Sequence, residues 1–295
     1  MPQPFRFTVV TAGAPSHTAW VALARAAEEL GYATLVVPDR TIIGFAPLTA
    51  LAVAAEATTS LRIGCRVFCN DYRHPALLAK EVATLDVLSD GRFELGLGSG
   101  IGPWDYQQLG MPFEDAGTRV SRLQESLAIL KGLFTQESVT FSGKYYTISG
   151  MKGLPRPIQK PHPPILMGCA GKRMLSLAAR EANGISLMFR ISPQDRDGPN
   201  ALLEEQLVWL REAAGSRFAH LELTQLAYNI TITGQGTDSQ SEEEGPPLPR
   251  IPMSSEQAVE HLLEQRERYG FSSIPVYGGA QMEKFAPVVA RLAGK

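Results

Sequence analysis

The chain has 295 residues, with 28 lysines and arginines, 30 aspartates and glutamates, and 44% hydrophobic residues. A chain of this length and composition can bury a large core, which excludes a disordered chain and a small disulfide-stapled scaffold. The formal net charge of −2 gives no field that favours nucleic acid or an anionic membrane as the main partner. The odd number of cysteines, 3, argues against an oxidised framework.

The first residues lack a basic segment followed by a long apolar run, and no stretch of about 18 apolar residues occurs. We therefore predict a cytoplasmic protein with no membrane association.

Short β-branched or aromatic runs alternate with longer segments of helical spacing, which is typical of a parallel α/β sheet. In the first unit, a strand is followed by a helix whose apolar face carries Trp20, Leu23 and Ala27 and which ends at Gly31. The same pattern recurs to the end of the chain. The predicted strands cover residues 5–11, 33–37, 61–69, 92–98, 163–168, 184–189, 221–232 and 272–278.

The segments between these strands predict helices, with Pro47 and Pro75 suited to a first turn and Ser254 and Gln257 to a capping box. Two insertions interrupt the alternation. A hairpin over 138–141 and 145–148 follows strand four, and the polar run at 234–250 after strand seven has too few apolar residues to be ordered, which predicts a mobile loop. The main predicted helices cover about 47–58, 116–134, 199–214, 254–269 and 282–292, with others beginning at Pro75 and near Lys172.

Eight strand–helix units in one chain favour a closed (β/α)₈ TIM barrel over an open doubly wound sheet, which stays the alternative. The turn after strand one, residues 12–17, also lacks the glycine fingerprint of a dinucleotide-binding sheet. We predict a single domain over 1–295, with insertions after strands four and seven. In such barrels, sites form at the carboxyl ends of the strands.

Polar residues follow strands two and three. Asp39 and Arg40 could position an anionic or carbonyl ligand, or could form an ion pair that closes the barrel rim, and both interpretations stay open. Asn70 leaves a buried strand and suggests a ligand-facing turn. The spacing of Cys65 and Cys69 matches no common zinc pattern, and we predict no metal site.

Small residues follow strands four and five. Gly98, Ser99 and Gly100 would let the backbone approach a flat or anionic ligand. After strand five, small residues lead into a helix start with two basic side chains, a pattern suited to a phosphate. An ordinary loop with exposed basic residues is the alternative. The residues of this turn are Gly168, Cys169, Ala170, Gly171, Lys172 and Arg173.

Two long segments, 73–100 and 156–187, resemble the luciferase-like monooxygenase superfamily, and more narrowly its F420-dependent oxidoreductase branch. The similarity extends over nearly the whole chain. It implies a TIM barrel, often a homodimer, that holds the deazaflavin F420 or FMN at the carboxyl end of the barrel.

The resemblance also implies roles for residues at the strand ends. Strand three would end in a bulge with a non-prolyl cis peptide that backs the cofactor ring, at Cys69 and Asn70. The exit of strand four at 98–100 would border the ring or its ribityl chain, and the turn at 168–173 would bind the cofactor phosphate.

Two residues depart from the pattern of these relatives. Arg40 stands where they often have histidine, and Ile101 stands where sugar-phosphate and alcohol dehydrogenases have glutamate, so a proton donor is missing. The sequence therefore predicts an F420-dependent oxidoreductase, acting as a reductase on a small organic substrate, with Arg40, Asn70 and Asp39 as catalytic contacts. The alternatives are an FMN-dependent two-component monooxygenase and a barrel that has lost redox chemistry.

Overall fold

The computed structural model describes residues 3–41, 44–188, 198–226, 229–233 and 250–295. Apart from Arg250, the predicted mobile loop at 234–250 lies outside the described residues. In the described residues, buried side chains from the first strand to the last helix form one hydrophobic cluster. No helix in these ranges is long and apolar enough to cross a membrane.

Strands and helices alternate along the described chain. The strands are β1 Arg6–Val10, β2 Thr34–Val37, β3 Arg62–Cys65, β4 Phe68–Cys69, β5 Phe93–Gly98, β6 Val139–Ser142, β7 Thr147–Met151, β8 Ile165–Cys169, β9 Gly184–Met188, β10 Glu222–Leu226, β11 Asn229–Ile232, β12 Arg250–Met253 and β13 Ser273–Tyr277. The helices are α1 His17–Glu29, α2 Pro47–Ala57, α3 Pro75–Leu88, α4 Pro103–Gln108, α5 Ala116–Thr135, α6 Lys172–Glu181, α7 Gly198–Ala214, α8 Ser255–Tyr269 and α9 Gly279–Leu292.

The parallel strands form a nearly closed barrel. Their order is β10, β9, β8, β5, β3, β2, β1 and β13, and β4 continues the line of β3 against β5. The two ends of this sheet meet at a bridge between Leu223 and Phe271, where the backbone N–H of Ser272 donates to Leu223 O at 3.1 Å. The predicted (β/α)₈ barrel is confirmed.

Helix starts follow the local chemistry that the sequence predicted. Pro47 and Pro75 occupy the first turns of α2 and α3, where no intrahelical N–H is needed. Ser254 and Gln257 form the capping box of α8: the backbone N–H of Gln257 donates to Ser254 Oγ, and that of Ser254 donates to Gln257 Oε1. Gly270 then ends α8 with φ 83°.

Three elements differ from the predictions. The predicted strand at 221–232 is two strands, because β10 pairs with β9 in the barrel whereas β11 pairs with β12 outside it. Strand three is divided into β3 and β4 by a bulge. In the hairpin, β7 begins at Thr147 because the Glu125 carboxylate accepts the backbone N–H groups of residues 144–146 and holds them in the turn.

The inward side chains of the barrel change character along its axis. At the amino end of the strands, Arg6 pairs with Glu94 at 2.5 Å and with Glu222 at 2.7 Å, and Arg62 pairs with the same Glu94. Because side chains alternate along a strand, the next inward positions of β3 and β5 are Gly64 and Gly96. A Cβ at Gly96 would lie 1.9 Å from Cys65 O, so the strands approach too closely there for any side chain. Directly above the ion pairs, these two inward positions therefore carry no side chain.

Candidate functional site

The bulge between β3 and β4 projects into the carboxyl end of the barrel. It contains the cis peptide Arg66–Val67. A non-prolyl cis peptide is therefore present in strand three, but the position of this peptide that the resemblance implied, at Cys69 and Asn70, is wrong. The Val67 side chain packs on the neighbouring strands: a Cβ at Gly98 would lie 2.8 Å from Val67 Cγ2. Glycine at 98 is thus required by packing against the bulge.

Asp39, at the end of β2, is held by an ion pair. Arg73 donates from Nη1 and Nη2 to its two carboxylate oxygens at 2.7 and 3.0 Å, and the backbone N–H of Cys69 donates to Oδ2 at 3.0 Å. Only 6% of the Asp39 side chain is exposed. This carboxylate therefore ties β2 to the turn after β4.

Arg40 makes the second ion pair of the rim, with Asp105 of α4. Its Nε atom donates to Asp105 Oδ2 at 2.7 Å, and Thr41 donates to Asp105 Oδ1 from both its backbone N–H and its hydroxyl. Burial alone would raise the pKa of Asp105, but the hydrogen bonds from Thr41 and the charge of Arg40 outweigh it and lower that pKa. Asp39 and Arg40 thus form the rim ion pairs that were one interpretation of them, and their contact with a substrate stays a prediction.

A third ion pair, between Asp71 and Arg122, lies next to Asn70. Asp71 receives Arg122 Nη1 at 3.0 Å and the hydroxyl of Tyr106 at 3.0 Å. The buried Asn70 amide lies 3.4 Å from Asp71 Oδ1 and 3.5 Å from the Tyr146 hydroxyl. Arg122 was missed by sequence reasoning, and Tyr106 could be interpreted only as a pocket wall or a loop-packing residue, because α5 and α4 are distant in sequence from the strand they serve.

The exit of β5 is fixed by Arg119 of α5, another residue that the sequence did not indicate. Its Nη1 atom donates to the carbonyl oxygens of Ser99 and Gly100 at 2.9 and 2.7 Å. Gly100 has φ 86°, and a Cβ there would lie 2.2 Å from the Tyr106 hydroxyl. The glycines of this exit therefore serve the packing of the bulge and of α4, and their contact with a cofactor stays a prediction.

The turn from β8 into α6 is more open. Gly171 is the N-cap of α6, with φ −103°, no side chain caps the helix, and a Cβ on Gly171 would meet no described atom within 4 Å. The first amides of an uncapped helix and the positive end of its dipole face this space. The arrangement suits an anion such as a phosphate.

The two basic side chains of this turn already have partners. Lys172 Nζ lies 5.4 Å from the centre of the Trp209 ring. Arg173 donates to Gly117 O and to Ser121 Oγ, both at 2.8 Å, and so joins α6 to the start of α5. The site offers a ligand backbone amides more readily than these side chains.

Gln206 of α7 fixes the turn from behind. Its Nε2 atom donates to Ala170 O at 2.7 Å and to Met188 O at 3.2 Å. The side chain is buried, and its Oε1 atom has no hydrogen-bond partner. Gln206 was not predicted, because a glutamine on a helix carries no motif.

The three cysteines are free and buried. Burial raises the pKa of the Cys65 and Cys169 thiols, and it raises that of Cys69 despite a hydrogen bond with the Tyr106 hydroxyl at 3.2 Å. These thiols are therefore poor nucleophiles at neutral pH. Among the described residues, no group of three or more histidines, cysteines, aspartates or glutamates could hold a metal ion.

The described strand ends fit a cofactor that has a planar ring and a phosphate. The uncapped start of α6 and the free volume at Gly171 suit the phosphate. Gly98 and Gly168 pack against the Val67 side chain of the bulge, so no side chain from these two positions stands between the bulge and a ring bound beside it.

Comparison with known proteins identifies related sequences. The sequence model of the luciferase-like monooxygenase family matches residues 4–219. An uncharacterized protein of Mycobacterium tuberculosis is 31% identical over 215 residues, which are 64% of this chain and 72% of that protein.

Two characterised relatives match shorter parts. An F420-dependent glucose-6-phosphate dehydrogenase of Amycolatopsis mediterranei is 32% identical over 166 residues, 54% of this chain and 49% of that enzyme. An FMNH₂-dependent dimethylsulfone monooxygenase of Pseudomonas putida is 33% identical over 106 residues, 36% of this chain and 29% of that enzyme.

The fold is shared with solved structures. The coenzyme F420-dependent tetrahydromethanopterin reductase of Methanopyrus kandleri superposes with a TM-score of 0.80 at 18% identity, covering 99% of this chain and 98% of that one.

Proposed function

Because the chain belongs to the luciferase-like monooxygenase family, we propose that it is an oxidoreductase that uses reduced F420 to transfer a hydride to a small organic acceptor. The observation that carries the proposal is the open turn before α6, where an uncapped helix start faces free space beside Gly171. An anion-binding turn at the carboxyl end of a barrel is what a phosphate-bearing cofactor requires.

The chain's residues divide the binding of the cofactor between two surfaces. The backbone amides at the start of α6 would hold the phosphate, with Gly168, Cys169, Ala170 and Gly171 shaping the turn and Gln206 fixing it from behind. Val67, Gly98 and the following residues of the β5 exit would lie along the ring. When bound, F420 supplies the redox chemistry, and the protein supplies orientation.

The paired rim would orient the acceptor. The ion pair with Asp105 fixes the position of the Arg40 guanidinium. A fixed guanidinium can stabilise negative charge on an acceptor, but it is a poor proton donor. Asp39 and Asn70 hold the strand-three exit that forms the floor of this region, and fixed groups of this kind lower the barrier by holding reactants in line.

We extend the proposal to the assembly, as a homodimer. Leu77 and Leu88 of α3 are 61% and 67% exposed, and Leu154 is 62% exposed. A contiguous exposed apolar patch is typical of a protein interface, and we propose that these three leucines belong to one. Light scattering coupled to gel filtration measures the mass: twice 32.0 kDa supports the dimer, and 32.0 kDa contradicts it.

The second candidate is a two-component monooxygenase that uses reduced FMN and oxygen. It is favoured by the match to the FMNH₂-dependent enzyme of Pseudomonas putida, and the same anion-binding turn would serve the phosphate of FMN. The two candidates differ in cofactor and in the use of oxygen.

Anaerobic titration of the protein with F420 and, separately, with FMN tests the proposal. Quenching of cofactor fluorescence with micromolar F420 affinity and weaker FMN affinity is the expected result, and consumption of reduced F420 on addition of enone, imine or carbonyl acceptors would follow. Tight FMN binding with oxygen consumption would support the monooxygenase. Binding of neither would leave a barrel without redox chemistry and overturn both.

A further inference from the structure

Arg66, in the interior of the barrel mouth, has no charged partner of its own among the described residues. It follows Gly64 on the inward face of strand three and begins the cis peptide with Val67. Its Nη2 atom donates to Ser186 Oγ at 3.2 Å, and its Nε atom is buried without a hydrogen-bond partner. The carboxylates whose charge reaches it, Glu94 and Glu222, are already paired with Arg6.

A second unpartnered group lies close by. Thr224 of β10 is register partner to Ser186 of β9, so both side chains point to the same face of the sheet. Because Ser186 reaches Arg66 across the barrel, that face is the interior. Thr224 is fully buried, and its Oγ1 atom has no hydrogen-bond partner in the part of the chain that the structure describes.

The remaining neighbour is also a neutral hydroxyl. Burial raises the pKa of Tyr277, at the end of β13, to about 12, and the positive charge of Arg66 opposes that rise. Tyr277 is therefore protonated at neutral pH. The guanidinium therefore has the Ser186 hydroxyl as a hydrogen-bond partner and the Tyr277 hydroxyl as an electrostatic neighbour, and neither neutralises its charge.

Such a group costs stability unless something binds it. A buried donor without a partner loses its hydration, and a buried charge loses more. Unsatisfied groups of this kind are uncommon in folded proteins and call for a ligand or an ordered water. Arg66 is still partly exposed toward the mouth, so a ligand can reach it from the same side as the proposed cofactor.

We propose that Arg66, with Ser186 and Thr224, binds the carbonyl oxygen of the pyrimidine ring that F420 and FMN share. The planar fork of a guanidinium matches such an oxygen and favours negative charge on it. Since that ring carries negative charge when the cofactor is reduced, Arg66 favours the reduced form. This inference rests on the proposed function, because it places the ring beside Val67, which is joined to Arg66.

The experiment compares wild type with Arg66→Met and Arg66→Lys. Oxidised and reduced F420 and FMN are titrated anaerobically, and the unfolding midpoint of each protein without cofactor is measured. Arg156→Met is the matched control, because Arg156 donates to Phe134 O outside the barrel mouth.

For Arg66→Met we expect the affinity for the reduced cofactor to fall at least about tenfold, and that for the oxidised form to fall less. A tenfold difference between the two forms lowers the potential of the bound cofactor by about 30 mV. The midpoint without cofactor should be unchanged or rise by about 2 to 4 °C, since an unpaired charge is removed. Arg66→Lys should keep part of the preference for the reduced cofactor, and Arg156→Met should keep all of it.

Two results would overturn the inference, and they are distinguishable. If wild type binds a cofactor and Arg66→Met binds its oxidised and its reduced form as tightly as wild type does, the Arg66 site is wrong and the proposed function stands. If wild type binds neither F420 nor FMN, both fail. If Arg66→Met does not fold, its affinity cannot be measured. Arg66→Lys, which keeps the charge, then decides whether the reduced form is preferred.

Discussion

The mouth of the barrel has two halves that differ in how their polar groups are partnered. In the paired half, after β2, β4 and β5, three buried carboxylates each contact an arginine. In the open half, after β8 and on the inward face of the bulge, the start of α6 carries no side-chain cap, and within the described ranges Arg66 donates a side-chain hydrogen bond only to the Ser186 hydroxyl. Those carboxylates are Asp39, Asp71 and Asp105.

The two halves therefore differ in role: the paired half stabilises the fold, and the open half is available to a ligand. A buried ion pair that is completed within the chain holds the rim together and leaves little free energy to gain from a ligand. Donors that lack partners gain most when a ligand arrives. The open half is therefore where the cofactor is expected, and variants of the two halves should behave in opposite ways.

The largest effect is expected from Arg73→Met in the paired half. Asp39 would keep only the N–H of Cys69, and a buried carboxylate would lose its counter-charge. The free energy of unfolding should fall by about 3 to 5 kcal/mol, measured by denaturant titration. Arg25→Met is the control, since exposed Arg25 makes one bond to Ala57 O, and it should change stability by about 0.5 kcal/mol or less. A loss of the same size in both variants would contradict the comparison.

Asp105→Asn should cost less, about 1 to 3 kcal/mol at pH 7, because the surviving Arg40 reaches water whereas Asp39 in the previous case does not. The pH dependence of this stability loss follows from the pKa of Asp105. The pKa of Asp105 is lowered in the folded state, so its contribution is present above the ordinary aspartate pKa and is lost as the pH falls through the folded value. The stability difference between wild type and Asp105→Asn should therefore shrink on acidification below about pH 4. A stability difference that does not change with pH would show that the pKa of the Asp105 carboxylate is not lowered in the folded state.

Arg173→Ala should have the smallest effect. Its two bonds to α5 are exposed, so the free energy of unfolding should fall by about 0.5 to 1.5 kcal/mol. If backbone amides hold the phosphate, F420 affinity should change by less than about threefold, or 0.7 kcal/mol. A loss of F420 affinity of about a hundredfold in the fluorescence titration would show that the Arg173 guanidinium itself contacts the phosphate.

The eight strand–helix units could be predicted because their periods are local. Each apolar face repeats over a few residues, and Pro47, Pro75 and Ser254 mark helix starts within the chain's own sequence. The short helix α4 was missed, since six residues are too few to show a helical period, although Gly102 and Pro103 stand at its start.

The pairing of the site could not be predicted, because it depends on residues far apart in the chain. Arg40 and Asp105 are 65 residues apart, and nothing near either one indicates the other. Arg66 stood inside a predicted continuous strand, where alternation alone would make it an ordinary inward residue. The bulge that places it at the mouth, and the earlier use of Glu94 and Glu222 by Arg6, are visible only in three dimensions.

The most direct test of the open half is the F420 affinity of Gly171→Asp, with Gly171→Asn as its uncharged control. The backbone at 171 accepts any residue, and the new Cβ meets no described atom. An aspartate there is a good N-cap, and in place of glycine it should stabilise the protein by a few tenths of a kcal/mol. It should also place a negative charge at the phosphate position and weaken F420 binding at least about tenfold. A variant that is more stable and binds F420 poorly is the predicted result. A variant that binds F420 as tightly as wild type would contradict the placement of the cofactor at this turn.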